Sequence, residues 1–383
     1  MTSVRGESSN LTVDTVVSYL IEQGVLSVAA IVASDVEVID VGRRNQNLKI
    51  VRRSGPSHLL KQAGAGESTT ERTVHSEAAF YNQCQIDPDL TDVRAVIPKL
   101  HHWDADRSLL LTELIDGQTL WAHYAAASTL PSESAAALGT AIGTIHRTFR
   151  QPSSHSLPWI AGLPTYPPWV LLAHRPTPDM FARLSPANLQ VLKLIQIDRT
   201  MVTALDGLRR DWTADTIIHN DLKGDNLLVT TTADGGVGVH IVDWELISVG
   251  DAAWDVGSVF RDFLDYWLLS VPLSGDLTPE EMLQGAQIPL AKLHPAIRAF
   301  WNAYRAAAEM EASVLNSFLL RSVRLSAARM VQGAYELSLS TQNPPNVAYG
   351  MLQLALNILS DPRDASLHLF GLPLPWRKPS YGA

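Results

Sequence analysis

Ile217-Ile218-His219-Asn220-Asp221-Leu222-Lys223-Gly224-Asp225-Asn226-Leu227-Leu228-Val229, followed by Ile241-Val242-Asp243-Trp244-Glu245, is the stretch on which the reading of this 383-residue chain turns. Its pattern is a buried strand, a polar loop, a second buried strand, and a third strand that ends in an acid. The loop has the spacing H-x-D-L-K-x-x-N, which suits phosphoryl transfer at every polar position. Asp221 would orient an acceptor hydroxyl and take its proton, and His219 would brace the loop. Asn226 and Asp243 would offer hard oxygen ligands to Mg²⁺.

Upstream, the residues are arranged as a nucleotide-covering sheet would need. Val36–Val41, Asn47–Arg52 and His58–Gln62 carry strand-like patterns, separated by turns at Gly42–Asn45 and Ser54–Ser57. The first turn, through Gly42, Arg43 and Asn45, would close over phosphates with backbone N–H groups, the alternative being an ordinary solvated hairpin. No G-x-x-x-x-G-K-[ST] occurs, which excludes a P-loop enzyme. Lys61 ends the third strand, and Glu77 falls in a helix expected from Thr69 to Gln85. A lysine on strand three paired with a glutamate on the next helix is the arrangement that holds α- and β-phosphates. Lys49 is the rival lysine; a surface lysine and a solvated glutamate are the plainer reading. Two further strands are expected at Val96–Leu100 and Ser108–Ile115, with the backbone from Glu113 to Ile115 presented to an adenine edge. An amphipathic helix over Thr12–Gly24 precedes the sheet.

Beyond Asp116-Gly117 the pattern becomes helical, which divides the chain at residues 1–115 and 116–383. Helices are expected at Thr119–Ala127, Pro131–Phe149 and Pro186–Arg210, with His146 a structural histidine. A Pro/Trp/His-rich insertion at 151–180 is a candidate wall for the acceptor, and Asp234-Gly235-Gly236 marks a hairpin. Asp255 opens an apolar helix either as its N-terminal cap or with its carboxylate on the backbone of the 219–226 loop. Residues 278–360 are helical by pattern, the stripe from Ser322 to Glu336 reading as bundle core. The tail Pro373–Ala383 is Pro-rich and basic.

Composition narrows the class. Apolar residues make up 46% and charged residues 18%, and no apolar run is long enough for a membrane span. The net charge of −9 argues against a general nucleic-acid binder and would suit a cationic substrate or a basic partner, the plainer reading being an ordinary acidic soluble protein. A single cysteine, Cys84, allows no internal disulfide, and with no secretory signal a cytoplasmic location is expected.

These residues together resemble the aminoglycoside phosphotransferase / choline kinase branch of the protein-kinase-like fold, from about Val36 to Val259. His219 to Asn226 and Asp243-Trp244-Glu245 carry the resemblance, the branch having D-[FW]-E where protein kinases have D-F-G. It implies an α+β, two-lobed fold: a small antiparallel β lobe with one key helix, and a large, mostly helical lobe. It also implies ATP and Mg²⁺ as cofactors, with Asp221 catalytic, Asn226 and Asp243 on Mg²⁺, and Lys61 on the ATP phosphates. The acceptor would be a hydroxyl-bearing small molecule of aminoglycoside, choline or sugar type. There are two departures. Lys223 stands where the family often has histidine, and would neutralise γ-phosphate charge during transfer, the alternative being a surface lysine. The phosphate-covering turn has Arg43 and Arg44 instead of paired glycines. Asp40 to Gln62 is also similar to kinase-like subunits of lanthipeptide-type pathways, which would make a precursor-peptide Ser/Thr the acceptor and a lyase the partner. A third reading, an inactive kinase-like scaffold, would be expected to lack at least one of Lys61, Glu77, Asp221, Asn226 and Asp243.

Overall fold

Alternation along three strands decides which way the first sheet faces. Leu48, Ile50, Leu60, Leu109 and Leu111 are all buried, and they form one cluster with Leu11, Val16, Tyr19, Leu20 and Leu26 from the N-terminal segment. Strand side chains alternate between faces, so Lys61, between Leu60 and Gln62, points away from that cluster. The computed structural model describes residues 10–42, 45–64, 68–127, 130–150, 157–274 and 276–374. Arg43, the 151–156 part of the expected insertion and the tail from 375 onward lie outside the described residues.

The chain divides into two units. The first comprises Met1–Gln118, Leu157–Leu163 and Asn226–Ile247. Its five-stranded antiparallel sheet is built from β1 (Val36–Asp40), β2 (Gln46–Arg52), β3 (His58–Gln62), β4 (Leu100–Asp104) and β5 (Leu109–Glu113), in the order β1-β2-β3-β5-β4. Helix α1 (Val13–Glu22) buries Val16, Tyr19 and Leu20. Each such fully buried apolar side chain contributes about 1.5–3 kcal/mol. Helix α2 (Ser68–Ile86) follows β3 and carries Glu77. The hairpin β6 (Leu227–Thr231) and β7 (Val237–Ile241) belongs to this unit, although its position in the chain placed it in the second region. Packing explains this: the Ile241 N–H donates to the carbonyl of Val96, and Trp244 lies with its ring 4.5 Å from that of Phe80 on α2. The strand expected at Val96–Leu100 forms instead at Leu100–Asp104, since Pro98, with no N–H, cannot join a ladder there.

The second unit comprises Thr119–Ser156, Pro164–Asp225 and Ser248–Ala383. Its main helices are α3 (Ser132–Arg150), α4 (Ala252–Leu268), α5 (His294–Ala307), α6 (Ala312–Leu337) and α7 (Asn346–Ser360). The helix expected over Pro186–Arg210 is two helices, Pro186–Ile197 and Arg199–Arg210. Asp198 breaks it: its backbone is extended and its carboxylate accepts the Met201 N–H at 2.9 Å, which caps the second helix. A short ladder, Thr216–Ile218 against Ser248–Gly250, anchors the segment that runs into His219. Among the described residues no helix is long and apolar enough to cross a membrane.

Candidate active site

In the first unit, the outward face of β3 presents Lys61 to α2. Its ammonium donates to Glu77 Oε2 at 2.8 Å, also pairs with Asp243, and lies 3.2 Å from Glu245 Oε2. Burial by itself would lower the pKa of Lys61. The carboxylates of Glu77, Asp243 and Glu245 outweigh it, so the amine is held above its ordinary value and stays charged. Glu77 is buried, which pushes its carboxyl up; Lys61 pulls it back, and Asp243 and Glu245 push it further up. Its other oxygen accepts the Tyr81 hydroxyl at 3.2 Å and the Trp244 N–H at 3.0 Å, so the carboxylate is fixed in place.

The β6–β7 hairpin brings Asn226 and Asp243 together. Leu227 pairs with Ile241, and the Val242 N–H donates to the Asn226 carbonyl at 3.0 Å, which sets Asp243 one residue past the last rung. Asp243 has φ +67° and ψ +57°, a left-handed conformation that ends the strand and turns its carboxylate to Lys61. The donor set fits Mg²⁺: the Asn226 side chain and the carboxylates of Asp243 and Glu245 offer only hard oxygens. No group of three or more His, Cys, Asp or Glu able to hold a metal occurs among the described residues. Mg²⁺ does not need such a cage, since it is held through one or two carboxylates together with substrate phosphates. Three carboxylates around one ammonium also leave negative charge for a cation to balance.

In the second unit, the loop from His219 to Gly224 is held from below by α4. Asp255 accepts the N–H groups of His219 at 2.7 Å and Asn220 at 3.1 Å, while the helix cap is Asp251, whose carboxylate accepts the Ala253 N–H. Of the two roles weighed for Asp255, the loop contact is the observed one. His146 is a core histidine, 3.0 Å from the Tyr304 hydroxyl through Nδ1 and 3.4 Å from Asp255 through Nε2. Asn220 takes φ +69°, and the Asp221 N–H turns back to His219 Nδ1 at 3.2 Å. Lys223 donates to Asp221 Oδ2 at 2.7 Å.

Asp262, two turns along α4 from Asp255, is buried and accepts the Gly224 N–H. Burial raises its carboxyl to about 7; Arg261 lowers it, Asp265 raises it and Arg329 lowers it. Asp265 is raised to about 6, again by burial, against Arg261 at 2.5 Å. An unfolded carboxyl titrates near ~3.9, so between there and neutrality the folded chain holds a proton that the unfolded chain has released. The contribution to stability is therefore full below about pH 4 and is lost as the pH rises toward 7. Asp262→Asn keeps an oxygen for the Gly224 N–H. It is expected to flatten the fall in thermal stability between pH 5 and 7, and to be more stable than the parent at pH 8 by about 1–3 kcal/mol. Calorimetry across that range checks it; an unchanged slope in the variant would contradict it.

The other residues singled out in the sequence divide. Gly42 is needed at its turn, because a Cβ there would lie 2.9 Å from the Asn45 carbonyl oxygen. Asn45 acts through its side chain, which donates to Glu245 Oε2 at 2.7 Å. The Glu113 N–H is taken by the Lys99 carbonyl and that of Leu114 by Ser57, which leaves Ile115 as the first residue past β5 and its flanking bonds. Lys49, the rival lysine, sits on β2 opposite Leu59. Glu245, Tyr81 and Asp262 were not singled out. Glu245 had a signal, its place in Asp243-Trp244-Glu245; the other two are defined only by what packs on them.

This architecture, an antiparallel sheet with one charged helix and a mostly helical remainder, is that of the protein-kinase-like fold. The profile of the phosphotransferase enzyme family (APH) matches residues 35–275. The chain belongs to that family and is a phosphotransferase. Comparison with curated protein sequences yields no match. Among solved structures, the microcompartment-associated aminopropanol kinase is similar with a TM-score of 0.53 at 14% identity, over 94% of this chain and 99% of that one. The GDP complex of wild-type aminoglycoside 2'-phosphotransferase-IIIa gives 0.53 at 12% identity, over 92% and 100%. A choline kinase from Cryptosporidium parvum gives 0.52 at 14% identity, over 87% and 90%. At these identities the likeness is one of fold.

Proposed function

We propose that this phosphotransferase moves the γ-phosphoryl group of ATP to a hydroxyl of a small molecule. The observation that carries the reading is the buried Lys61 ammonium held by Glu77 beside Asp243, a cation fixed in place for phosphate oxygens. Lys61 orients the α- and β-phosphates, Glu77 keeps Lys61 pointed outward from β3, and Ile115 offers its backbone to the adenine edge. Asn226 and Asp243 would hold Mg²⁺, which when bound supplies neutralisation of the phosphate charge. Asp221 orients the acceptor hydroxyl and takes its proton, and Lys223, next to it, neutralises charge on the group in transfer. The fold relatives that act on aminopropanol, aminoglycosides and choline support a small-molecule acceptor.

Nucleotide binding is tested by thermal unfolding with and without Mg·ATP. A nucleotide present at 100 times its dissociation constant should stabilise the chain by about 2.7 kcal/mol, with a smaller effect when EDTA removes the metal. No shift with Mg·ATP would contradict the assignment of Lys61, Asn226 and Asp243.

A further inference from the structure

Arg329 lies in the C-terminal half of α6, 54 residues beyond the end of the family match, and is almost completely buried. Close helix packing brings it to the loop. A Cβ on Gly257 would lie 2.9 Å from both Ser322 O and Ser326 N, so only glycine lets α4 and α6 approach this closely. One turn along each helix from that contact, the Arg329 guanidinium stacks over the Trp254 ring at 5.3 Å, and the Trp254 indole N–H donates to the Asn220 carbonyl at 3.3 Å. Arg329 Nη2 lies 3.6 Å from Asp221 Oδ1, on the carboxylate oxygen opposite the one that Lys223 holds.

A buried guanidinium is expensive unless something uses it. Among the described residues Arg329 Nε and Nη1 have no hydrogen-bond partner, so hydrogen bonding at those two atoms does not explain its charge. Among the described residues the carboxyl groups that face it are Asp221, Asp262 and Asp265, the last two raised toward neutrality by burial and Asp265 already engaged with Arg261. We infer that Arg329 is a positioning residue for phosphoryl transfer: it fixes the orientation of the Asp221 carboxylate from the C-terminal helices. This rests on the reading of Asp221 as the base. Lys223, 40% exposed on a flexible stem, can exchange Asp221 for a phosphate oxygen; Arg329, clamped on Trp254, cannot leave. Its fixed charge keeps Oδ2 aimed at the acceptor hydroxyl when Lys223 moves.

The test is a double-mutant cycle on Mg·ATP hydrolysis, with water as the acceptor. Arg329→Met is expected to lower kcat by about 10- to 100-fold with KM for ATP unchanged, as loss of alignment does. Arg329→Lys should recover part of that loss, and Arg329→Met should cost nothing more once Asp221 is already asparagine. Equal losses in both backgrounds, an unchanged kcat, or a rise in KM alone would overturn the inference. Should Arg329→Met fail to fold, Arg329→Lys in the same cycle gives the same comparison, a loss confined to the Asp221 background supporting it. If Asp221→Asn itself keeps full turnover, it is the assignment of the base that fails.

Discussion

Asp221→Asn is expected to lower turnover by ~10²–10⁴-fold, the usual scale for removing a general base, while Mg·ATP still binds. Asparagine matches the aspartate in shape and keeps one oxygen for Lys223, so the loop should survive the change. The loop does not depend on the Asp221 carboxylate: Asp255 holds the His219 and Asn220 N–H groups, and Asp262 holds that of Gly224. A loss in kcat with a normal thermal shift therefore reports chemistry and not folding. Steady-state kinetics with nucleotide titration separates the two, and unimpaired turnover would rule out Asp221 as the base.

Lys61→Met should have a double effect. Removing one partner of a buried ion pair costs about 3–5 kcal/mol, because the other charge is left without compensation, whereas an exposed pair is worth about 0–1 kcal/mol. Here three carboxylates face one ammonium, and the Lys61 and Glu77 side chains are only 9% and 3% exposed. The single variant should therefore lose that much unfolding free energy and also its response to Mg·ATP. Lys61→Met combined with Glu77→Gln removes the orphaned charge, leaves Tyr81 and Trp244 an amide oxygen, and should recover most of the stability but none of the nucleotide response. Denaturant unfolding of the three proteins checks this. A Lys61→Met protein as stable as the parent would mean that the pair carries little of the local structure.

What was legible in the sequence was what local pattern encodes. Period-two alternation with Gly42 and Gly55 turns found β1 to β3 within a residue or so, and so placed Lys61 at the end of β3. The helix carrying Glu77 was expected at 69–85 and runs from Ser68 to Ile86. Spacing alone picked out the loop at Asp221 and the acid at Asp243. Contacts made by tertiary packing were not legible. Glu245 meets Lys61 only because the Trp244 ring seats against Phe80, and Arg329 meets Asp221 only because Gly257 admits α6. From sequence, Arg329 sat in a stripe that reads as bundle core, and it is buried as core is. A side chain's charge does not say which carboxylate, 108 residues upstream, it will face. The break at Asp198 was missed for a related reason: the apolar pattern continues through a residue whose side chain prefers to cap a helix.

The most direct measurement follows the γ-phosphoryl group itself, by mass spectrometry of a panel of hydroxyl compounds incubated with Mg·ATP and the parent chain or Asp221→Asn. The panel holds amino alcohols, aminoglycosides, sugars and Ser/Thr peptides. The expected result is a mass gain of one phosphoryl group on a small-molecule alcohol with the parent chain, and its near-complete loss with the variant. Mg·ATP binding with no phosphorylated product, or equal product from both proteins, would contradict transfer through Asp221.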